Sequence, residues 1–197
     1  MNEDKLDFLL RHNRQIRAIG FDDAPFVRHS NQPVAVAGVV CSKTRFEGML
    51  WGKIQVDGWN STERLIQMLL KSKFYPQLHL VLIDGISMGG LNLINLPYLA
   101  KQLQLPCVAV MRKIPKIEKM KAAITLLPHP DKRLQILAKA GEIHVYPPFY
   151  FQVCGLNASV THRILQNLTD NGNVPEALRL AHLITSAVIT GESGKRA

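Results

Sequence analysis

The order of apolar segments predicts an α/β protein built on a mixed sheet. A three-strand antiparallel meander comes first, parallel strands follow, and helices cover both faces. Three observations predict this. The β-prone runs 16–21, 33–42 and 46–56 lie close together, which suits strands paired as a meander. From residue 60 onward, helix-spaced and strand-like patterns alternate. The run Leu80-Val81-Leu82-Ile83 is uninterrupted and ends in Asp84-Gly85, the pattern of a strand buried on both faces that stops at an acid and a turn.

Each element has its own signal. Residues 1–14 are charged and mixed, helical or loosely structured. The first strand ends in Asp22-Asp23-Ala24-Pro25, where Pro25 prevents further ladder pairing. The second is the PVAVAGVVCS run. The third carries Gly48 and Gly52, candidates for a bulge, and ends in Asp57-Gly58. Asn60 or Ser61 caps a helix to about residue 73, with Leu65, Met68 and Leu69 on one face. After the strand ending at Asp84 come Gly89-Gly90 and a helix starting near Asn95, since Pro97 suits a first turn. Residues 106–111 form another buried strand. A helical stretch over 117–124, a helix from Pro130 to Ala140, and short strands over 143–146 and 149–153 follow. Ser159 caps a helix to 168, and Pro175 opens a last helix reaching about 189.

Composition narrows the class. The chain has 197 residues and 47% hydrophobic content, enough for one domain with a substantial core. The expected organisation is one domain over 1–197, with 1–14 as an N-terminal extension and 191–197 as a mobile tail. No apolar run is long enough to span a bilayer and no signal-peptide pattern is present, so a cytoplasmic, non-membrane protein is expected. Cys41, Cys107 and Cys154 sit in apolar strand-like surroundings and read as small buried thiols, not a zinc or disulfide pattern. The net charge of +9 attracts polyanions, and nucleic acid is the commonest in a cytoplasm. Oligomeric state has no sequence signal.

The motif that carries chemistry is an acid at the end of three strands: Asp22, Asp57 and Asp84. Carboxylates gathered at one sheet edge repel unless a cation neutralises them. A hard divalent ion, Mg²⁺ or Mn²⁺, is the natural partner for oxygen ligands, and it supports phosphodiester hydrolysis. Against this, Asp before Gly is ordinary turn chemistry. A rival motif shares the loop. Gly85-Ile86-Ser87-Met88-Gly89 matches G-x-S-x-G, which would make Ser87 the nucleophile of a serine hydrolase. His144, His162 or His182 would be its base, oriented by Asp131 or Asp170. The basic run Arg112, Lys113, Lys116, Lys119, Lys121 follows the next strand and reads equally as a phosphate-binding edge or a solvated helix face. His182 lies one turn after Leu178 on the apolar stripe of the last helix, where a core histidine is the bland reading.

The PEALRLAH segment, the LIDG strand and the order of elements resemble endonuclease V, a nuclease of the RNase H-like superfamily. IGFDDAPF, VDGWNSTERL, IDGISMGG and the closing RLAHLI resemble more closely an uncharacterised domain-of-unknown-function family allied to it. The likeness runs from about Arg17 to the C-terminus. It implies an RNase H-like fold and a metal-dependent nuclease acting on DNA or RNA. By that resemblance Asp22 and Asp84 match catalytic aspartates, and Asp57 falls near a catalytic glutamate. Arg112 falls near an active-site lysine, and His182 matches a histidine of the last helix. The Pro-Tyr-Ile-Pro-Gly wedge of endonuclease V is replaced by Trp51-Gly52-Lys53-Ile54-Gln55, so inosine recognition does not carry over. The expected site is therefore Asp22, Asp57 and Asp84 on Mg²⁺ or Mn²⁺, His182 assisting, and Arg112, Lys113 and Lys116 on nucleic acid. A nucleic-acid-binding protein that keeps the fold without catalysis is the alternative.

Overall fold

The structure is a computed structural model, and it describes residues 3–27 and 32–193. Its centre is a seven-stranded mixed sheet in the order β3-β2-β1-β4-β7-β9-β8. Strands β1 (Arg17–Asp23), β2 (Val34–Ser42) and β3 (Arg45–Ile54) form the antiparallel meander. Strands β4 (Leu80–Asp84) and β7 (Cys107–Met111) run parallel to β1, so all three end on the same edge. The sheet finishes with β9 (Phe149–Cys154), antiparallel to β7, and β8 (His144–Tyr146), antiparallel to β9. The expected run of parallel strands therefore stops at β7. Only Pro147 and Pro148 join β8 to β9, and so short a connection can only make a hairpin.

Side-chain alternation sorts the sheet into two cores. Ile19, Phe21, Val81, Ile83 and Ala109 point to the face covered by α2 (Ser61–Leu70) and α3 (Leu96–Leu103). Ala18, Leu80, Leu82, Val108 and Val110 point to the face covered by α6 (Ala158–Asn167) and α7 (Glu176–Thr190). Helix α7 lies directly on β1. A Cβ at Gly20 would come within 2.7 Å of backbone atoms of Ala177 and Leu178, so only glycine admits the helix this close.

Several local expectations change. Helix α1 (Glu3–Arg11) does not extend away from the fold. Leu6 is buried in the second core, and Asp7 pairs with Arg163 of α6 at 2.7 Å. The cap of α6 is Asn157, whose Oδ1 accepts from the Val160 N–H at 2.9 Å, while Ser159 only donates its hydroxyl to the same oxygen. Between β4 and α3 the chain forms a small hairpin, β5 (Ser87–Met88) with β6 (Asn92–Leu93), where only a turn was expected. The bulge anticipated near Gly48 appears where the β2–β3 register shifts between Val40 and Cys41, opposite Gly48 and Phe46. The remaining segments, α4 (Ile117–Ile124) and α5 (Pro130–Lys139), fall where the sequence places them. Cys41 and Cys107 are buried and Cys154 half-buried. Residues 194–197 of the expected tail lie outside the described residues. No described helix is long and apolar enough to cross a membrane.

Candidate metal centre

The pleat decides which acids meet. In the parallel β1–β4 pair, Gly20 is opposite Leu82 and Phe21 opposite Ile83, so continuing the register sets Asp22 beside Asp84. Both follow the even-numbered alternation that faces α7. His182, on α7, completes the group. Its Nδ1 is 2.9 Å from Asp22 Oδ2. One ligand atom each from Asp22, Asp84 and His182 lie within 4.8 Å of one another. Beyond β7 the chain delivers Arg112 to the same edge, with Nη2 3.5 Å from Asp84 Oδ2. Lys113 and Lys116 follow it, both exposed.

Burial and mutual repulsion charge this site. Asp84 is pushed up to about 6, by burial first and by Asp22 second, with Arg112 and His182 pulling the other way. His182 is raised, chiefly by its hydrogen bond to Asp22. Two crowded carboxylates, held partly out of water, form a donor set short of positive charge. They fit a hard divalent ion that takes one or two carboxylates and fills its remaining positions with water or phosphate oxygens.

Asp57 does not join them, which corrects the three-carboxylate reading. After β3 the chain turns sharply, with Asp57 itself at a left-handed φ of 48°. Its carboxylate Oδ1 accepts from the Leu91 N–H at 2.7 Å, and its own N–H donates to Gly89 O at 2.8 Å. Gly90 has φ 87°, and a Cβ there would meet Asp57 Oδ1 at 2.4 Å. Asp57 is thus a clamp on the loop that follows Asp84. The serine-hydrolase arrangement is also absent among the described residues. Ser87 lies in β5 instead of a strand-to-helix elbow, and the histidines proposed as its base have other neighbours. His144 is beside Glu142, His162 stacks near Tyr146 and Phe149, and His182 holds Asp22.

Two residues here were not singled out from sequence. Asp23, one step past Asp22, points to the opposite face and accepts from the Gly89 N–H at 3.0 Å. Burial and the neighbouring Asp22 push it up to about 7. Arg133 of α5 is 2% exposed. Its guanidinium donates to the carbonyls of Asp57 (2.6 Å), Leu91 (2.7 Å), Gly58 (3.2 Å) and Pro128 (3.2 Å). Arg133 therefore ties the Asp57 turn to the hairpin loop, and Asp23 ties that loop to the strand carrying Asp22. The doubled acid was a signal for Asp23; nothing in PDKRLQ distinguishes Arg133 from a solvated helix residue. Beside Asp57 a cleft of about 640 Å³ opens, walled by Phe26, Leu91, Met120, Leu126 and Leu127.

This mixed sheet, with an Asp–Asp–His group where its parallel strands end, has the fold seen in endonuclease V structures. The endonuclease V of Ciona intestinalis, solved with a 24mer DNA containing an inosine followed by a ribo-adenosine, superposes with a TM-score of 0.53 at 16% identity, over 90% of this chain and 91% of that one. The chain belongs to the endonuclease dU family, whose model matches residues 14–189. A UPF0215 protein of Methanosarcina barkeri is 35% identical over 188 residues, 93% of this chain and 95% of that protein. The crystal structure of a protein of unknown function from Archaeoglobus fulgidus aligns with a TM-score of 0.84 and 34% identity, over 88% of this chain and 98% of that one.

Proposed function

We propose that this protein is a metal-dependent nuclease that hydrolyses phosphodiester bonds in DNA or RNA. The observation that carries this is the convergence of Asp22, Asp84 and His182 within 4.8 Å at the parallel strand edge, with a guanidinium alongside. Asp22 and Asp84 would hold Mg²⁺ or Mn²⁺. When bound, such an ion supplies Lewis-acid stabilisation of phosphate charge and a more acidic water. Arg112 lies close enough to share a phosphate oxygen while restraining Asp84. His182, hydrogen-bonded to Asp22 and raised in pKa by that contact, orients the carboxylate and can give a proton to the leaving oxygen. Lys113 and Lys116 are exposed next to Arg112 and suit the flanking phosphates.

The apolar cleft beside Asp57 supports a base-reading function. Its aromatic and aliphatic walls suit a nucleobase turned out of its stack, and the Asp57 and Ser87 side chains supply polar contacts at its margin. The names of the family and of its structural neighbours direct the choice of substrates. The test is a cleavage screen in Mn²⁺ over DNA and RNA strands, normal, deoxyuridine-containing and inosine-containing, paired with calorimetry of Mn²⁺ binding. Cleavage lost in Asp84→Ala supports the reading. Absence of both cleavage and Mn²⁺ binding overturns it. Specific oligonucleotide binding without cleavage favours the inactive binding protein instead.

A further inference from the structure

Trp59 has no role in the site described above, yet it is held more firmly than an exposed indole needs to be. It lies two residues past Asp57, in the loop that Arg133 anchors. The Arg133 guanidinium carbon sits 4.2 Å from the indole centroid, and His129 meets the ring edge-on at 6.1 Å. The indole nevertheless remains 41% exposed. Arg133 cannot swing away, because four backbone carbonyls fix it. The ring is therefore pinned from the protein side and open toward solvent, beside a hollow of about 240 Å³ that it shares with Tyr98, Glu63 and Ile136. Tyr98 is itself 38% exposed. The one carboxylate in the hollow, Glu63, lies near the Tyr98 hydroxyl and raises its pKa.

We propose that Trp59 is a stacking platform for an unpaired base of the strand whose phosphate is held at the Asp22–Asp84 edge. This deepens the nuclease reading and rests on it. A guanidinium under one face of an indole, with the other face open, leaves room for a second planar group to complete the stack. Every base has such a face, and stacking on aromatic side chains is how single strands are held without sequence readout. The position agrees with this use. The Asp57 turn carries Asp57 into the wall of the cleft and Trp59, two residues on, into the wall of the hollow, so one short loop lines both recesses. His129 and the fixed Arg133 guanidinium stand beside it, in keeping with an anionic strand and not with a cationic peptide.

The chain has two tryptophans, so Trp51→Phe leaves Trp59 as the only one. That variant is titrated, without divalent metal, with a single-stranded oligodeoxynucleotide of about 12 nucleotides, a length within the usual range for one domain. The Trp59 emission should be quenched to saturation, while a matching duplex quenches it far less. Binding is followed independently by anisotropy of a labelled strand. Trp59→Ala should weaken binding about tenfold, Trp59→Phe by much less, and neither should change the salt dependence, because stacking removes no phosphate contact. Binding with no change in Trp59 emission, or binding by a folded Trp59→Ala as tight as wild type, overturns the platform and leaves the nuclease reading standing. No binding of any strand at low salt, with or without Mn²⁺, overturns both. Should Trp59→Ala fail to fold, the emission titration and the Phe variant decide alone.

Discussion

Asp84→Asn should make the protein more stable and less able to bind metal. The folded environment raises Asp84 from 3.8 to about 6, a difference of roughly two units, and each unit corresponds to about 1.4 kcal/mol. The upper bound is therefore about 3 kcal/mol of strain in the charged form. Its side chain is 22% exposed, and solvent screening reduces this to about 1.5 kcal/mol. The sign follows from linkage. The folded state holds the proton more tightly than the unfolded state, so the penalty is absent below pH 3.8, grows as pH rises toward 6, and is full above it. Without metal at pH 7.5, Asp84→Asn should melt about 3–6 °C higher than wild type, taking about 2–4 °C per kcal/mol for a chain of this size. At pH 4 the two should melt together. Adding Mn²⁺ at a hundred times its dissociation constant should stabilise wild type by about 2.7 kcal/mol and the variant hardly at all. Thermal melts followed by circular dichroism, with and without metal at both pH values, read all of this. A variant less stable than wild type at pH 7.5 whose melt still rises with Mn²⁺ would refute the reasoning.

Other perturbations separate the parts of the site. His182→Gln should slow single-turnover cleavage about 10²-fold while calorimetric Mn²⁺ affinity falls less than in Asp84→Asn, because the proton donor is lost and the carboxylates remain. Arg133→Met should cost about 3 kcal/mol or more by urea denaturation, since it leaves the carbonyls of Asp57, Gly58 and Leu91 without their buried donor. Arg133→Lys should recover little of this, for one ammonium cannot span that fork. Gly20→Ala should cost about 1–3 kcal/mol by pushing α7 off β1. NMR of His182 should then show its imidazole released from Asp22.

Much of the fold was legible because its signals are local. The VVC and LVLID runs announce buried strands, Pro97 and Pro175 mark helix starts, and a strand-end acid is visible as a residue after an apolar run. Where the reading failed, direction was at stake. Asp22, Asp57 and Asp84 look alike in sequence: each ends an apolar run. Asp22 and Asp84 share a phase of the pleat on neighbouring parallel strands, so they meet. Asp57 follows a left-handed turn off the edge of the meander, and its carboxylate is taken by the Leu91 N–H.

The amino-acid sequence by itself determined the layered α/β architecture, the two aspartates at parallel strand ends and the helix that carries His182, because apolar periodicity and turn residues act over a few positions. The tertiary structure alone decided the partners of those residues. It turned Asp57 from an expected ligand into a loop clamp and buried Arg133 under Trp59. It also gave Asp23 its partner, the Gly89 N–H of a loop far along the chain. The reason is that burial of a charge, the pairing of a carboxylate and the exposure of a ring depend on elements brought together from distant parts of the chain, 76 residues apart for Arg133 and Asp57 and 160 for His182 and Asp22.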